Sequence, residues 1–190
     1  MHPHRHTPAR RQRWKRLAAA ALLCAAAPAL AALQPGTKAP AFSAPASLGG
    51  KVFDFSLADA LRQGPVVLYF YPAAFTSGCT VEAHEFAEAS DQFKALGASL
   101  IGVSHDDIGT LKRFSVSECR SKFAVAADPD QSIAHAYRAT LWFWPGHADR
   151  TSFVIAPDGK VIYEYSALSP DAHVRNTLEA LRRWRAAQQR

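Results

Sequence analysis

Cys79 is the residue best placed to do chemistry in this sequence. It lies in Pro72-Ala73-Ala74-Phe75-Thr76-Ser77-Gly78-Cys79-Thr80-Val81-Glu82, directly after the apolar run Val66 to Tyr71. That order reads as a buried strand, a short loop and a helix with a thiol in its first turn. A sulfur there meets the positive end of the helix dipole and backbone N–H groups that have no helical partner. Such surroundings favour the thiolate, which is the nucleophilic form. An ordinary thiol of pKa ~8.5 is only about 3% ionised at neutral pH, and moving it to ~6 takes roughly 3.4 kcal/mol. A partly buried helix end provides up to ~2 kcal/mol. A further cation or donor is therefore required, and Arg150 is the leading candidate.

Holding such a thiol takes a rigid frame, and the patterning supplies one. Residues 32–45, rich in Pro, Ala and Ser, read as an extended lead-in. Gly49-Gly50 marks a turn, and Val52-Phe53-Asp54-Phe55 alternates like a strand. Ser56 caps a short helix over Leu57 to Leu61, which Gly64-Pro65 stops. Val66 to Tyr71 and Ala98 to Val103 are continuous apolar runs, as in buried parallel strands. Between them a helix carries Val81, Phe86 and Phe93 and closes at Gly97, making a right-handed βαβ unit. Asp106 or Asp107 caps a helix with Ile108, Leu111 and Phe114; a strand over Phe123 to Ala126 and a helix over Ser132 to Tyr137 follow. Leu141 to Gly146 is an aromatic loop, read either as packing or as the rim of a site or a dimer contact. Thr151 to Ile155 and Val161 to Tyr165 flank the hairpin turn Pro157-Asp158-Gly159-Lys160. The last helix puts Val174, Leu178, Leu181 and Trp184 on one face.

From Val66 onward the order is β-α-β-α-β-α-β-β-α. The fold class is α/β, and the order predicts a thioredoxin-like sandwich with a mixed central sheet flanked by helices. A doubly wound parallel sheet fits less well, because the terminal hairpin demands an antiparallel edge.

With Pro72, Thr76 and Cys79 in the spacing Pro-x-x-x-Thr-x-x-Cys, the chain resembles the peroxiredoxin family, most closely its bacterioferritin-comigratory (Q-type) branch. Val103-Ser104, Asp128-Pro129-Asp130 and Arg150-Thr151-Ser152-Phe153-Val154-Ile155 agree with that resemblance. It implies that Cys79 is the peroxidatic nucleophile, oxidised by peroxide to sulfenic acid. Thr76, the backbone N–H groups near Cys79 and Arg150 would donate to the departing oxygen. Pro72 would wall the pocket against water, and Glu82 would orient Arg150 through a charge-assisted hydrogen bond. The substrates implied are hydrogen peroxide and organic hydroperoxides. The reductant implied is a thioredoxin-like protein or a small thiol, with no metal or organic cofactor and a monomer or homodimer as the working unit. Many Q-type relatives carry a resolving cysteine five residues after the nucleophile, where this chain has His84. Cys119 is the candidate resolving residue; the alternative is a one-cysteine enzyme reduced by an external thiol. A bridge between Cys79 and Cys119 needs their Cα atoms within ~7 Å, which implies local unwinding.

Residues 1–31 read as a cleavable export signal and 32–190 as a single domain. The leader holds Arg5, Arg10, Arg11, Arg13, Lys15 and Arg16 with no acid, then an apolar stretch from Leu17 to Ala27, then Pro28-Ala29-Leu30-Ala31. The apolar stretch is short for a bilayer span. The expected location is the bacterial periplasm, by the twin-arginine or the general route, with Cys24 leaving with the leader. The chain has 22 basic and 16 acidic residues, and removing six basic ones leaves 16 against 16. The domain is then near neutral, so the basic balance argues for targeting, not for nucleic acid, and no stable membrane insertion is expected after cleavage. In an oxidising compartment a disulfide is plausible.

Two competing functions remain open at this level. An exported thiol–disulfide oxidoreductase would normally use Cys-x-x-Cys, but position 82 is Glu. A redox-sensing or chaperone-like domain would consume no more than stoichiometric peroxide. His84, His105, His135, His147 and His173 are scattered without metal-ligand spacing.

Overall fold

The computed structural model describes His2 and residues 32–190; the expected export signal lies outside the described residues. Among the described residues seven strands form one sheet: β1 (Ser43–Leu48), β2 (Lys51–Ser56), β3 (Val66–Phe70), β4 (Ser99–Ser104), β5 (Ala124–Ala127), β6 (Thr151–Ile155) and β7 (Val161–Ser166). Their spatial order is β2-β1-β5-β4-β3-β6-β7. β3, β4 and β5 run parallel, while β6 lies antiparallel to β3 and turns back into β7. The sheet is therefore mixed, as the terminal hairpin required. Among the described residues five helices flank the sheet: α1 (Leu57–Gln63), α2 (Ser77–Ala95), α3 (Ile108–Ser117), α4 (Ser132–Ala136) and α5 (His173–Gln188).

The continuous apolar run of β3 divides by strand period into two cores. Val66, Leu68 and Phe70 point to the side covered by α1 and α4, where Leu57, Ile133 and Tyr137 meet them. Val67, Tyr69 and Tyr71 point to the side covered by α2, α3 and α5, where Cys79, Phe86, Phe114 and Leu181 are buried. The chemically interesting thiol is thus part of the second core's wall. On α2 the buried face is Cys79, Glu82, Ala83, Phe86, Ala87, Ala89 and Phe93, whereas Val81, read from the sequence as part of its apolar pattern, is exposed.

One element was not legible. The stretch expected as a lead-in, 32–45, runs into β1, which pairs antiparallel with both β2 and β5. Small residues and Pro45 give it no β signature. Its ladder to β5 holds only Ala46 and Ser47, so Pro45 falls outside that pairing and its missing N–H is tolerated. Ser47 is buried and bonds Ser115 of α3 through their hydroxyls at 3.0 Å.

Gly102 of β4 sits under the Tyr69 ring: a Cβ there would lie 2.7 Å from Tyr69 Cζ. Gly102→Ala therefore forces the ring out of a core that also holds Phe86 and Tyr71 stacked on it. We predict a loss of roughly 1–3 kcal/mol in urea unfolding, the usual range for overpacking; an unchanged midpoint would contradict the packing.

Candidate active site

The loop that delivers Cys79 is clamped by the end of β4. Pro72 is buried, and its carbonyl accepts a hydrogen bond from His105 Nδ1 at 2.8 Å. The Ala74 N–H donates to Asp106 Oδ2 at 2.7 Å, and the Ser104 hydroxyl donates to the same oxygen at 2.7 Å. Phe75 then adopts φ 64°, a left-handed conformation that a bulky residue holds only when its surroundings enforce it. Its ring meets Phe114 edge-on at 5.2 Å. α2 starts two residues later, and its first helical bond runs from Thr80 N–H to the Thr76 carbonyl. The N–H groups of Ser77, Gly78 and Cys79 precede that bond and stay available at the helix end.

Thr76 occupies the N-cap position, but its side chain makes no capping bond. Its hydroxyl donates instead to the Ala73 carbonyl at 3.0 Å. This corrects the expectation that Thr76 donates to the departing oxygen. With its proton committed, the exposed Oγ1 presents lone pairs, so it suits accepting a hydrogen bond from a substrate O–H.

Arg150 immediately precedes β6 and is the centre of the site. Its Nη2 donates to Cys79 Sγ at 3.5 Å. Its Nη1 donates to Glu82 Oε2 in a fully buried ion pair. Its Nε donates to the Leu168 carbonyl at 2.8 Å, and its own carbonyl accepts from Ala167 N–H. Three directions of one planar fork are thereby used, which an ammonium could not match. Gly78 makes room for it, since a Cβ there would stand 3.1 Å from Nη2. Burial raises the Glu82 carboxyl above its ordinary range, with Arg150 opposing. The charge of Glu82 in turn raises Arg150, against its burial. The sequence expectations for Cys79, Glu82 and Arg150 converge on one place, and Pro72 forms the buried start of the same loop.

No role was expected for the residues behind this cluster. His173, the first residue of α5, is fully buried, with Nε2 3.0 Å from the Ala167 carbonyl and Nδ1 2.8 Å from Ser152 Oγ. A carbonyl only accepts, so Nε2 carries the proton and Nδ1 accepts from the serine. Burial is the main cause that pushes His173 down to about 4, so it is neutral at pH 7. A signal for it existed: His173, Thr177 and Leu181 share the i, i+4, i+8 spacing of the buried face of α5.

Cys119 lies just past α3, fully buried and free, as is Cys79. Burial, then the neighbouring Glu118 charge, holds its thiol well above the ordinary range. It is carried by a strap that α2 holds through a hydrogen bond, His84–Glu118 at 2.9 Å, and two ion pairs, Glu88–Arg120 at 3.1 Å and Asp91–Lys122 at 3.6 Å. Arg120 and Ser121 both have positive φ, 49° and 55°. His84, at the position where many Q-type relatives carry a resolving cysteine, is thus a tether for the strap. The aromatic loop is exposed at Trp142, Phe143 and Trp144. Trp144 stacks on His147, which meets His105 at 4.4 Å, tying the loop to the clamp on Pro72. Among the described residues, no group of three or more His, Cys, Asp or Glu side chains is placed to hold a metal ion.

Comparison with known proteins places this arrangement. A family model described as the AhpC/TSA family matches residues 35–164. A Mycobacterium tuberculosis protein that carries the peroxiredoxin name is 34% identical over 152 residues, covering 75% of this chain and 90% of that one. Chloroplastic peroxiredoxin Q of Oryza sativa is 32% identical over 118 residues, covering 62% of this chain and 54% of that one. Among solved structures, peroxidoxin BcpB of Mycobacterium tuberculosis superposes with a TM-score of 0.71 at 32% identity, covering 80% of this chain and 97% of that one.

The clamp yields a test. Asp106→Ala leaves the Ala74 N–H without its acceptor, so stability should fall by about 1–3 kcal/mol in denaturant unfolding, and hydrogen exchange should quicken at Ala74. Unchanged protection at Ala74 would show that Asp106 does not hold the loop.

Proposed function

Since this chain belongs to the AhpC/TSA family and is a peroxiredoxin, we propose that Cys79 is the thiol that attacks its peroxide. The observation that carries this reading is the 3.5 Å contact from Arg150 Nη2 to Cys79 Sγ at the open end of α2. The thiolate attacks one peroxide oxygen, an S–O bond forms as the O–O bond breaks, and the other oxygen leaves as hydroxide or alkoxide and takes a proton. Arg150 and the free N–H groups of the first turn stabilise charge on the reacting oxygens. Oγ1 of Thr76 accepts from the peroxide O–H and sets its approach, while Pro72 keeps water from the sulfur. Hydrogen peroxide and organic hydroperoxides are the substrates on this reading.

Cys119 then resolves the sulfenic acid, forming a disulfide and releasing water. The strap from 118 to 122 is the segment that moves. The His84–Glu118 hydrogen bond and two exposed ion pairs hold it, the pairs with about 0–1 kcal/mol each, and its two left-handed residues store roughly 1–3 kcal/mol each. A thioredoxin-like protein or a small thiol reduces the disulfide. The basic and apolar leader at residues 1–31 supports export, with the bacterial periplasm as the working compartment. The competing oxidoreductase reading loses ground because the position of a second Cys-x-x-Cys thiol is filled by Glu82, committed to Arg150.

Mass spectrometry after one equivalent of hydrogen peroxide tests the cycle. The wild type should lose two hydrogens and yield a Cys79–Cys119 linked peptide, Cys119→Ser should retain one added oxygen on Cys79, and Cys79→Ser should consume no peroxide. An oxygen retained on Cys79 of the wild type would make it a one-cysteine enzyme. Undiminished consumption by Cys79→Ser would refute the assignment of the nucleophile.

A further inference from the structure

The site holds one permanent cation and two acids, all buried. Arg150 touches both Cys79 and Glu82. With both acids ionised, the pocket would carry an unbalanced negative charge away from water, which is heavily penalised. One proton must therefore stay, and the geometry shows where it fits. Glu82 Oε2 is taken by Arg150, whereas Oε1 has no hydrogen-bond partner among the described residues and lies 3.7 Å from His173 Nδ1. Nε2 carries the imidazole proton and the lone pair of Nδ1 already accepts from Ser152, so His173 offers Oε1 no N–H donor and a charge there goes unmet.

We propose that Glu82 is the proton store of the site: when Cys79 ionises, its proton is kept on Glu82 Oε1, the oxygen that no donor reaches. The S–H bond of Cys79 breaks, an O–H bond forms on Oε1, and no electron changes hands. The site holds one cation and one anion before and after, and the charge of Arg150 passes from balancing the carboxylate to balancing the sulfur. Oε2 remains an acceptor for Nη1 in either state, so Glu82 keeps Arg150 in place throughout. Such a proton belongs to the coupled pair. The other groups that face Glu82 act in the same direction. Glu85 on α2 raises its carboxyl, Tyr69 on β3 stays neutral because burial raises it, and His173 on α5 is neutral, leaving Arg150 beside β6 as the opposing charge. His173 is a positioning residue: it touches neither sulfur nor substrate and acts through Glu82.

The inference rests on Cys79 being the peroxidatic thiol, a reading that loss of peroxide consumption in Cys79→Ser tests by itself. Difference infrared spectroscopy of the reduced full chain at pH 7 tests the inference. The wild type should show a protonated-carboxyl C=O band that disappears in Glu82→Gln, which assigns it. The band should also disappear in Cys79→Ser, where no thiolate forms and Glu82 keeps its charge. In His173→Ala it should move to lower frequency, because the space left by the imidazole lets water reach Oε1. No Glu82 band in the wild type, or a full-strength band in Cys79→Ser, would overturn the proposal, and an unmoved band in His173→Ala would overturn the part given to His173. Stability gives a second reading. The depressed His173 contributes stability that is complete above 6.5 and is lost as pH falls towards 4, while the raised Glu82 gains as pH falls towards 4.5. The two oppose each other between 6.5 and 5, so Glu82→Gln should become more acid-sensitive than the wild type in that window. Parallel unfolding midpoints for the two proteins would contradict a raised Glu82.

Discussion

One guanidinium serving two buried acids is the constraint on which the rest depends. Arg150 reaches the Cys79 sulfur, the Glu82 carboxylate and the Leu168 carbonyl at once. Each bond fixes one side of a planar group, so the charge cannot swing away from the sulfur. A charge buried this deeply is tolerated only when its partners meet it in good geometry. The segment after β7, the start of α5 and the first turn of α2 are therefore all held in register by a single side chain.

The fold supplies those partners from three directions. α2 aims the thiol and the carboxylate from one buried stripe, β6 begins beside the arginine, and the return from β7 into α5 places Leu168 and His173. The parallel centre of the sheet sets where the catalytic loop starts, and the Ser104-His105-Asp106 clamp sets how it runs. The strained turn at Phe75 persists because Phe114 and Tyr71 stack behind it. Cys119 belongs to the same aromatic core but reaches it on a strap held mainly by exposed charges. That contrast separates a rigid site for the first chemical step from a looser segment for the second.

Much of this was legible in the sequence, for identifiable reasons. Cys79, Glu82 and Arg150 declare themselves by type and spacing, and the run from Val66 to Tyr71 could only be a strand covered on both faces. β1 was not legible because alanine, serine and proline carry no β pattern; it exists because β2 and β5 need a partner between them. The proton of Thr76 was misassigned because the Ala73 carbonyl that takes it is visible only once the loop is folded. His173 escaped notice because its partners, Ser152, Ala167 and Glu82, are 21, 6 and 91 positions away and converge only through the sheet. Local pattern reports which face is buried, not which buried polar groups meet.

The central claim is that the fork of Arg150, and not merely a positive charge, activates Cys79. Its most direct test is the stopped-flow rate of Cys79 oxidation by hydrogen peroxide in Arg150→Lys, compared with the wild type. Lysine keeps the charge but cannot hold Glu82, Leu168 and the sulfur together, so the account predicts a loss on the order of 10²–10³, the scale seen when an oxyanion donor is removed. A folded Arg150→Lys protein that reacts at the wild-type rate would contradict it.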